Sequence, residues 1–593
     1  MKFQFLIILA TLLIFNSCKK KTVAVPARGT SQPNVILILA DDQGWGDLSF
    51  NGNTNLNTPH IDAIARNGVS FENFYVQPVC SPTRAELLTG RHFARMGVYA
   101  TSAGGERFNL GETTIAELFK NAGYQTAAYG KWHNGMQPPY HPNARGFDDF
   151  YGFASGHWGN YFDPMLERNG AMVRGSGFLV DDLTNKGLEF ISKNKDNPFF
   201  LYLPFNTPHS PMQVPGKFWN SFSNKALSMK YKDSLEENAN FTRAALAMVE
   251  NIDHNVGRIS AELEALGLMQ NTIIVYLSDN GPNGWRWNGG MRGRKGSTDE
   301  GGVRSPFFIA CRDALPAGKK VSKIAGTTDI LPTLAALANL PLETANPVDG
   351  KDLSPLLFDE NPNWTDRVIY NHWGGRTSVR SQTHRLDHEN KLYDISQDRG
   401  QEEDVSATEP ELLDSLIAIK TSWLSEVNIK EVNKASRPFP LGHPDYIFTQ
   451  LPARDGIAHG NIKRSNKYPN DSFFTDWTSV NDSISWNVDV LETGEFEVQL
   501  YYTCAPSSVG TTLQLTFLEN TITKQVLEAH DPPLTGMEND RHPRIESYVK
   551  DFKPINLGTM KLRKGQGFMT LKAENIKNGK GIEVRLLLFS RKR

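Results

Sequence analysis

The sequence has few cysteines, almost no excess of charge and no long apolar segment beyond its first residues. Its 593 residues include 4 cysteines, too few for a disulfide-stapled scaffold of this size. Lys plus Arg number 63 and Asp plus Glu 65, and the resulting net charge of −2 argues against a protein whose main role is to bind nucleic acid through its phosphates. With 39% hydrophobic residues the chain is also too apolar to be disordered throughout.

The N-terminus carries the one segment apolar enough to touch a membrane. The run Phe3–Phe15 is shorter than the roughly 20 residues that a membrane-spanning helix needs, and its length is typical of a signal-peptide core, predicted over residues 1–17. Cys18 resembles the lipid-attachment cysteine of bacterial lipoproteins, although Phe15 stands where that pattern usually has Leu. The alternative is an ordinary cleaved signal with an incidental cysteine. Residues 18–32 lack periodicity and are predicted to be a tether.

Both interpretations of the leader predict export. The protein is expected in the periplasm or as an outer-membrane-anchored lipoprotein, in contact with the membrane only through its lipid.

Short apolar runs that end in polar residues recur through the first two-thirds of the chain. Such runs predict strands buried on both faces, and the helix-patterned stretches between them indicate an α/β fold with a mostly parallel sheet flanked by helices. Because ligands gather at the carboxyl ends of parallel strands, the polar residues at these ends are expected to share one pocket. The four runs and their polar ends are Val35–Leu39 before Asp41-Asp42, Tyr124–Tyr129 before Lys131-Trp132-His133, Phe199–Phe205 before Thr207-Pro208-His209, and Ile273–Leu277 before Asp279-Asn280.

The pattern changes after about residue 440, where apolar and polar residues alternate in several short segments. This alternation predicts an appended all-β sandwich over residues 455–593. Aromatic residues of this region could stack on sugar, but their alternating positions favour core packing; they are Trp477, Trp486, Tyr501 and Tyr502.

The segment Cys80-Ser81-Pro82-Thr83-Arg84 resembles the signature of the type I, formylglycine-dependent sulfatases of the alkaline phosphatase superfamily. Further matching segments follow in the family's order: Leu87–Arg91, Gly130–His133, Thr207–Pro211, Gly293–Gly296 before Glu300–Gly302, Asp329–Leu334 and Leu392–Asp394. The resemblance covers about residues 32–430, and an ordered set of motifs is far more specific than one. It implies an alkaline-phosphatase-like catalytic domain over residues 33–440, with a small C-terminal α+β subdomain from about residue 365.

Cys80 stands where a helix is predicted to begin, since Pro82 is favoured in the first turn. Exposed N–H groups at such a position favour an anion such as sulfate, and a native thiol there could itself be a nucleophile. The resemblance implies instead that a maturation enzyme converts Cys80 to formylglycine (3-oxoalanine). One hydroxyl of the aldehyde hydrate would attack sulfur and the other would later expel sulfate, while Arg84, one helical turn on, would hold the hydrate.

Asp41, Asp42, Asp279 and Asn280 form an all-oxygen set at two predicted strand ends. Adjacent carboxylates repel each other unless a cation neutralises them, and oxygen ligands suit Ca²⁺ or Mg²⁺ better than zinc. The resemblance favours calcium and adds residue 80 to its ligands.

The resemblance also implies roles for four basic residues. Lys131 and Lys295 would bind the sulfate oxygens, His133 would act as base on the formylglycine hydroxyl, and His209 would protonate the departing sugar oxygen. Asn134 departs from the family, which commonly has Leu there.

Two aromatic loops lie outside the shared motifs. Their rings and polar neighbours are typical of a sugar-binding rim, and ordinary packing of surface loops is the alternative. The candidate substrate-binding residues are His157, Trp158, Trp285 and Arg286.

The sequence thus predicts a hydrolase that removes sulfate from a sulfated, polysaccharide-derived carbohydrate. One alternative is a phosphate or phosphonate monoester hydrolase of the same superfamily. Another is a non-catalytic sugar-binding lipoprotein whose sandwich holds the ligand.

Overall fold

The computed structural model describes residues 32–233, 235–360, 362–427 and 437–592. The predicted signal peptide, Cys18 and nearly all of the tether lie outside these residues and stay predictions. Among the helices within the described ranges, none has the length and apolarity to cross a membrane.

A ten-stranded mixed sheet occupies the centre of the N-terminal part. The strands up to residue 326 are β1 (Asn34–Asp41), β2 (Val69–Phe71), β3 (Phe74–Tyr75), β4 (Gln125–Lys131), β5 (Asp149–Phe153), β6 (Met165–Arg168), β7 (Ala171–Arg174), β8 (Phe199–Pro208), β9 (Thr272–Ser278), β10 (Arg304–Ser305), β11 (Phe307–Ala310), β12 (Lys319–Val321) and β13 (Ala325–Gly326). The sheet order is β12-β2-β11-β9-β1-β8-β4-β5-β6-β7. Its central strands β9, β1, β8, β4 and β5 are parallel, whereas antiparallel pairs lie toward both edges.

Helices cover both faces of this sheet, which explains why its central strands are buried along nearly their whole length and mostly apolar. In β1, Val35, Leu37 and Leu39 join the core on one face, while Ile36 and Ile38 join the core on the other. The helices are α1 (Pro59–Arg66), α2 (Cys80–Thr89), α3 (Ile115–Asn121), α4 (Leu179–Lys193), α5 (Gly216–Phe222), α6 (Ala239–Ala265), α7 (Glu300–Val303), α8 (Ile330–Leu337), α9 (Ser354–Phe358) and α10 (Pro410–Val427). Residues of α2, α3 and α8 pack into the first core, and residues of α1, α4 and α6 into the second.

The register of β1 with its two neighbours sets the position of the functional residues. Ala40 pairs with Ser278 of β9, and Asp41 pairs with Pro208 of β8. The residues that directly follow these three strands therefore meet at one edge of the sheet.

A small antiparallel sheet follows the main body and packs against α10. Its strands are β14 (Ile369–Trp373), β15 (Arg376–Arg380), β16 (His384–Leu386) and β17 (Leu392–Asp394). Leu416 of α10 joins Val379, Leu386 and Leu392 in a common apolar cluster.

Two further sheets pack face to face as a β-sandwich. Their strands are β18 (Phe439–Leu441), β19 (Phe448–Pro452), β20 (Ile457–His459), β21 (Lys463–Arg464), β22 (Phe474–Thr475), β23 (Ser483–Val490), β24 (Gly494–Thr503), β25 (Thr512–Phe517), β26 (Asn520–Gln525), β27 (Lys553–Leu562), β28 (Gly565–Asn575) and β29 (Glu583–Arg591). One sheet runs β18-β23-β28-β25-β26 with β20 on β23, and the other β21-β22-β29-β24-β27 with β19 on β29. Strands β18 and β19 precede residue 455, where the sequence analysis placed the start of the sandwich.

The predicted fold class is confirmed, with the refinement that the large sheet is mixed at its edges. The four aromatic residues considered as sugar-stacking candidates in the sandwich are at most 8% exposed; they are Trp477, Trp486, Tyr501 and Tyr502. They contribute to the sandwich cores, in agreement with the core-packing interpretation.

Candidate active site

Cys80 is the first residue of α2 and is buried at the edge of the sheet where the central strands end. The preceding residue is extended, so the chain turns into the helix at the thiol itself. The thiol, Asp41 and Asp279 each place a ligand-type atom within 4.8 Å of the other two. Burial raises the pKa of the Cys80 thiol, so the unmodified side chain is held as a neutral thiol.

Arg84 lies one turn further along α2 and is fully buried. Its Nε and Nη2 donate to Oδ2 of Asp279 at 3.1 and 2.8 Å, and its Nη1 donates to the Lys131 carbonyl at 2.7 Å. Although burial opposes its charge, Asp279 holds the pKa of Arg84 above its usual value. This fork ties α2 to the ends of β4 and β9.

Four oxygen-bearing side chains, Asp41, Asp42, Asp279 and Asn280, meet beside Cys80. The Asp42 backbone N–H donates to Asp279 Oδ1 at 3.1 Å, and Asn280 Nδ2 donates to Asp42 Oδ1 at 2.8 Å. Two buried oxygens of the set, Asp41 Oδ1 and Asn280 Oδ1, have no hydrogen-bond partner. Burial, followed by the nearby Asp279 carboxylate, raises the pKa of Asp41 to about 7.

A hard divalent cation would relieve the repulsion among these buried carboxylates. Buried polar atoms are ordinarily hydrogen-bonded, and two unpartnered carboxylate and amide oxygens among further buried carboxylates are suited to Ca²⁺ coordination. The donor set therefore fits the predicted calcium, with Asp41, Asp42, Asp279 and Asn280 as its ligands.

Two lysines balance the acidic side chains. Lys131 Nζ lies 2.6 Å from Asp41 Oδ2, and Lys295 Nζ lies 2.7 Å from Asp42 Oδ1. Burial would lower the pKa of Lys295, but Asp42 raises it above its usual value, so this ammonium group stays charged. Lys131 is fully buried, whereas the Lys295 side chain is 23% exposed.

His133 follows β4 in a left-handed backbone conformation, with φ of 67°. Its Nε2 lies 2.7 Å from the Thr101 carbonyl, which can only accept, so Nε2 carries the proton. Nδ1 is buried and has no partner. Burial, and then Lys131, lowers the pKa of His133 well below its usual value. The neutral ring thus keeps a free lone pair on Nδ1, as a general base requires.

His209 follows β8 and lies beside Asp41 and Asp42. Its Nδ1 donates to the Ser210 carbonyl at 2.6 Å, and its Nε2 lies 3.6 Å from Asp42 Oδ2. Burial, and then Lys295, lowers the pKa of His209 to about 4, while Asp42 opposes that shift. The His209 side chain is 12% exposed, so with Lys295 it marks the more open side of the site.

The four candidate rim residues are found in different environments. The His157 ring stacks on that of His209 with centroids 5.9 Å apart, so His157 does lie beside the site. Trp158 packs on Phe153 and faces the guanidinium of Arg585, and it lines a surface pocket together with residues of the sandwich.

Trp285 stacks on Tyr231, with ring centroids 4.6 Å apart, and the Arg294 guanidinium lies 4.9 Å from its ring centre. Trp285 therefore belongs to a surface cluster near Lys295.

Arg286 does not lie on a rim: it is 2% exposed, with its Nε and Nη2 bonded to Asp47. Its Nη2 also donates to the Asp42 carbonyl at 3.0 Å. The charge of Arg286 thus holds the Asp42 loop in place, and its assignment to substrate binding is corrected accordingly.

Sequence reasoning missed the contribution of the sandwich to this region. Arg454 forms a buried ion pair with Glu106, and Asn470 Nδ2 donates to the Thr101 carbonyl at 3.5 Å, the same carbonyl that orients His133. These partners are more than 340 residues apart in sequence, and no local pattern signals such contacts.

Comparison with known proteins agrees with this architecture. The family described as Sulfatase matches residues 33–340. N-acetylgalactosamine-6-sulfatase of Mus musculus is 32% identical over 385 residues, which cover 59% of this chain and 70% of that protein. The chain therefore belongs to the sulfatase family, as a type I sulfatase of the alkaline phosphatase superfamily and an enzyme that hydrolyses sulfuric ester bonds.

Solved structures show the same likeness. Ps i-CgsB in complex with k-i-k-neocarrahexaose has a TM-score of 0.61 and 32% identity, covering 66% of this chain and 93% of that chain. BT33336S-sulf, from work on glycosaminoglycan metabolism by Bacteroides thetaiotaomicron, has a TM-score of 0.55 and 26% identity, covering 67% of this chain and all of that chain.

Proposed function

We propose that this sulfatase removes sulfate from a sulfated carbohydrate, using a formylglycine hydrate derived from Cys80 and a bound calcium ion. The observation that carries the proposal is the convergence of Cys80, three buried carboxylates and three basic side chains at one edge of the sheet. An anionic ester group entering such a site would meet fixed positive charges without a large reorganisation.

Two groups would complete the site chemically. Calcium, held by Asp41, Asp42, Asp279, Asn280 and residue 80, would supply Lewis-acid polarisation of a sulfate oxygen. Formylglycine, installed by a maturation enzyme, would supply a hydrated aldehyde whose hydroxyl is the nucleophile.

The residues of the chain provide the charge and proton handling. Lys131 and Lys295 bind sulfate oxygens, and Arg84 fixes the start of α2 against Asp279. Neutral His133 has a buried Nδ1 without a partner, and this atom would accept the proton of the hydroxyl at residue 80. His209 would act as the imidazolium and give the Nε2 proton to the leaving sugar oxygen, because its Nδ1–H is committed to the Ser210 carbonyl. The Asp42 carboxylate, 3.6 Å from Nε2, favours this charged form of the ring.

The names of similar proteins support a sugar as the substrate. One is an N-acetylgalactosamine-6-sulfatase, and another was crystallised with k-i-k-neocarrahexaose. The alkoxide of a sugar hydroxyl is a poor leaving group. Hydrolysis of a sugar sulfate ester therefore requires a proton donor such as His209. A signal peptide over residues 1–17, followed by Cys18, would bring the enzyme to polymeric substrates outside the cytoplasm, as a periplasmic or lipid-anchored protein.

The alternatives are tested by comparing sulfate and phosphate release from matched aryl esters, with Cys80→Ala as the blank. The proposal expects sulfate release to dominate and to vanish in the variant. A preference for phosphate would favour the phosphate or phosphonate hydrolase, and sugar binding without any turnover dependent on Cys80 would favour the non-catalytic lipoprotein.

A further inference from the structure

The long connection between β26 and β27, residues 526–552, reaches from the sandwich to the segment that follows His209. Gln213 Nε2 donates to the Gly536 carbonyl at 2.7 Å and to Asp540 Oδ1 at 2.9 Å. The Arg541 backbone N–H donates to the Met212 carbonyl at 2.9 Å. The sandwich thus clamps the chain within a few residues of a proposed catalytic group.

Ser210 is the point where this clamp reaches the imidazole. The Ser210 carbonyl accepts from His209 Nδ1 at 2.6 Å and from the Tyr161 hydroxyl at 2.9 Å. The Ser210 hydroxyl in turn donates to Oε1 of Glu546, a residue of the same connection. His209, Ser210 and Glu546 therefore form one chain of hydrogen bonds from the site to the sandwich.

We propose that Glu546 is a positioning residue that holds Ser210, and through its carbonyl His209, in the orientation needed to protonate the leaving group. This rests on the proposed function, specifically on His209 as the leaving-group acid. The Ser210 peptide is anchored at its side chain by Glu546 and at its carbonyl by Tyr161. Without Glu546 only the Tyr161 hydroxyl holds the Ser210 peptide, so the carbonyl can shift and the imidazole is no longer fixed with Nε2 toward the substrate. Small misplacements of this kind cost up to about 100-fold in rate.

The test compares two substrates that differ in their need for acid catalysis. A sulfated monosaccharide has an alcohol leaving group that must be protonated, whereas an aryl sulfate such as 4-nitrophenyl sulfate leaves as a stabilised phenolate. Glu546→Ala should lower kcat on the sugar sulfate by at least about tenfold and on the aryl sulfate by less than about threefold. Glu546→Gln keeps an acceptor for Ser210 and should restore most of the sugar activity.

Ile545→Ala is the matched control, since this neighbour is 67% exposed and its side chain can be removed without touching Ser210. It should leave both activities unchanged. Equal losses on both substrates in Glu546→Ala, or a Glu546→Gln variant as poor as Glu546→Ala, would overturn the positioning role.

His209→Ala separates this proposal from the proposed function. A selective loss on the sugar sulfate in His209→Ala without one in Glu546→Ala would contradict the role of Glu546 alone. An equal loss on both substrates in His209→Ala would contradict the acid role of His209 and the positioning proposal with it.

Discussion

Three aspartates and three basic side chains lie against Cys80, and each basic group is matched to a carboxylate. Arg84 bonds Asp279, Lys131 bonds Asp41 and Lys295 bonds Asp42. The pairing leaves Asp41 Oδ1 and Asn280 Oδ1 without partners. At the scale of single residues, these two unpartnered oxygens are the strongest argument for a calcium ion.

Calcium should therefore stabilise the fold as well as support activity. Binding to the folded state alone adds about 2.7 kcal/mol at a hundredfold excess over Kd, so Tm should fall when calcium is chelated and recover when it is restored. Thermal unfolding in chelator, with and without added calcium, measures this. Asn280→Ala should need a higher calcium concentration for the same rise in Tm.

Asn251→Ala is the control for that experiment, because Asn251 also has a buried, unpartnered Oδ1 but lies on α6 outside the site. It should keep the calcium response of the wild type. A wild-type Tm that is the same with and without calcium would contradict the metal site.

The convergence of most candidate site residues was predictable, because Asp41, Lys131, His209 and Asp279 lie at the ends of buried strands and those ends meet by topology. The environment of Arg286 was not predictable, because its charged group and the neighbouring Trp285 suggested a sugar-binding rim. Only the fold shows that Asp47, 239 positions away, takes up its charge. Contacts of this range leave no periodic signal in the sequence.

At the scale of elements, α7 joins the small sheet to the catalytic body. Glu300, its first residue, is fully buried and is contacted by Arg304 from its own helix end and by Arg380 and Arg385 from β15 and β16. Burial would raise its pKa, but the three guanidinium groups, Arg385 foremost, lower the pKa of Glu300 to about 2. The cluster is held together by this one carboxylate.

Glu300→Gln should cost about 3–5 kcal/mol near neutral pH, because it leaves buried guanidinium groups uncompensated. The folded pKa lies below the unfolded value of 4.5, so the carboxylate stabilises the fold fully above that pH. Its contribution is lost as pH falls through the window from 4.5 to about 2. Urea unfolding at about pH 7 and about pH 3 should show the gap between wild type and Glu300→Gln shrinking on acidification. A gap that stays constant or widens would contradict this account.

Strands and helices were the best-predicted level. The apolar runs Val35–Leu39 and Ile273–Leu277, which precede Asp41 and Asp279, are β1 and β9 as predicted. The edges of the large sheet were harder, because short strands such as β11 carry the same apolar composition in parallel and antiparallel pairing.

At the scale of the whole molecule, the sandwich is joined to the catalytic body by buried charge. Arg454 pairs with Glu106, and its Nη1 donates to Ser155 Oγ at 3.1 Å and Asn470 Oδ1 at 2.9 Å. The carbonyl of Glu106 accepts from Asn134 beside His133. The network therefore supports the active site from outside the catalytic domain.

Arg454→Ala should lower the free energy of unfolding by about 3–5 kcal/mol, because it leaves the buried Glu106 carboxylate without its ion-pair partner. Lys463→Ala is the control: its ion pair with Asp476 is exposed and should be worth less than about 1 kcal/mol. Chemical denaturation of both variants measures these changes in unfolding free energy. An Arg454→Ala protein as stable as Lys463→Ala would show that the interface does not depend on this network.

The measurement that tests the central claim most directly is sulfate release from a panel of sulfated sugars, with calcium present and Cys80→Ala as the blank. The panel should include galactose, N-acetylhexosamine, fucose, rhamnose and uronate types, and the mass of the peptide containing residue 80 should be determined on the same preparation. The account predicts release from at least one sugar, its loss in the variant, and an aldehyde at position 80. Release that persists in Cys80→Ala, or a preparation that carries the aldehyde yet hydrolyses no sulfate ester, would contradict it.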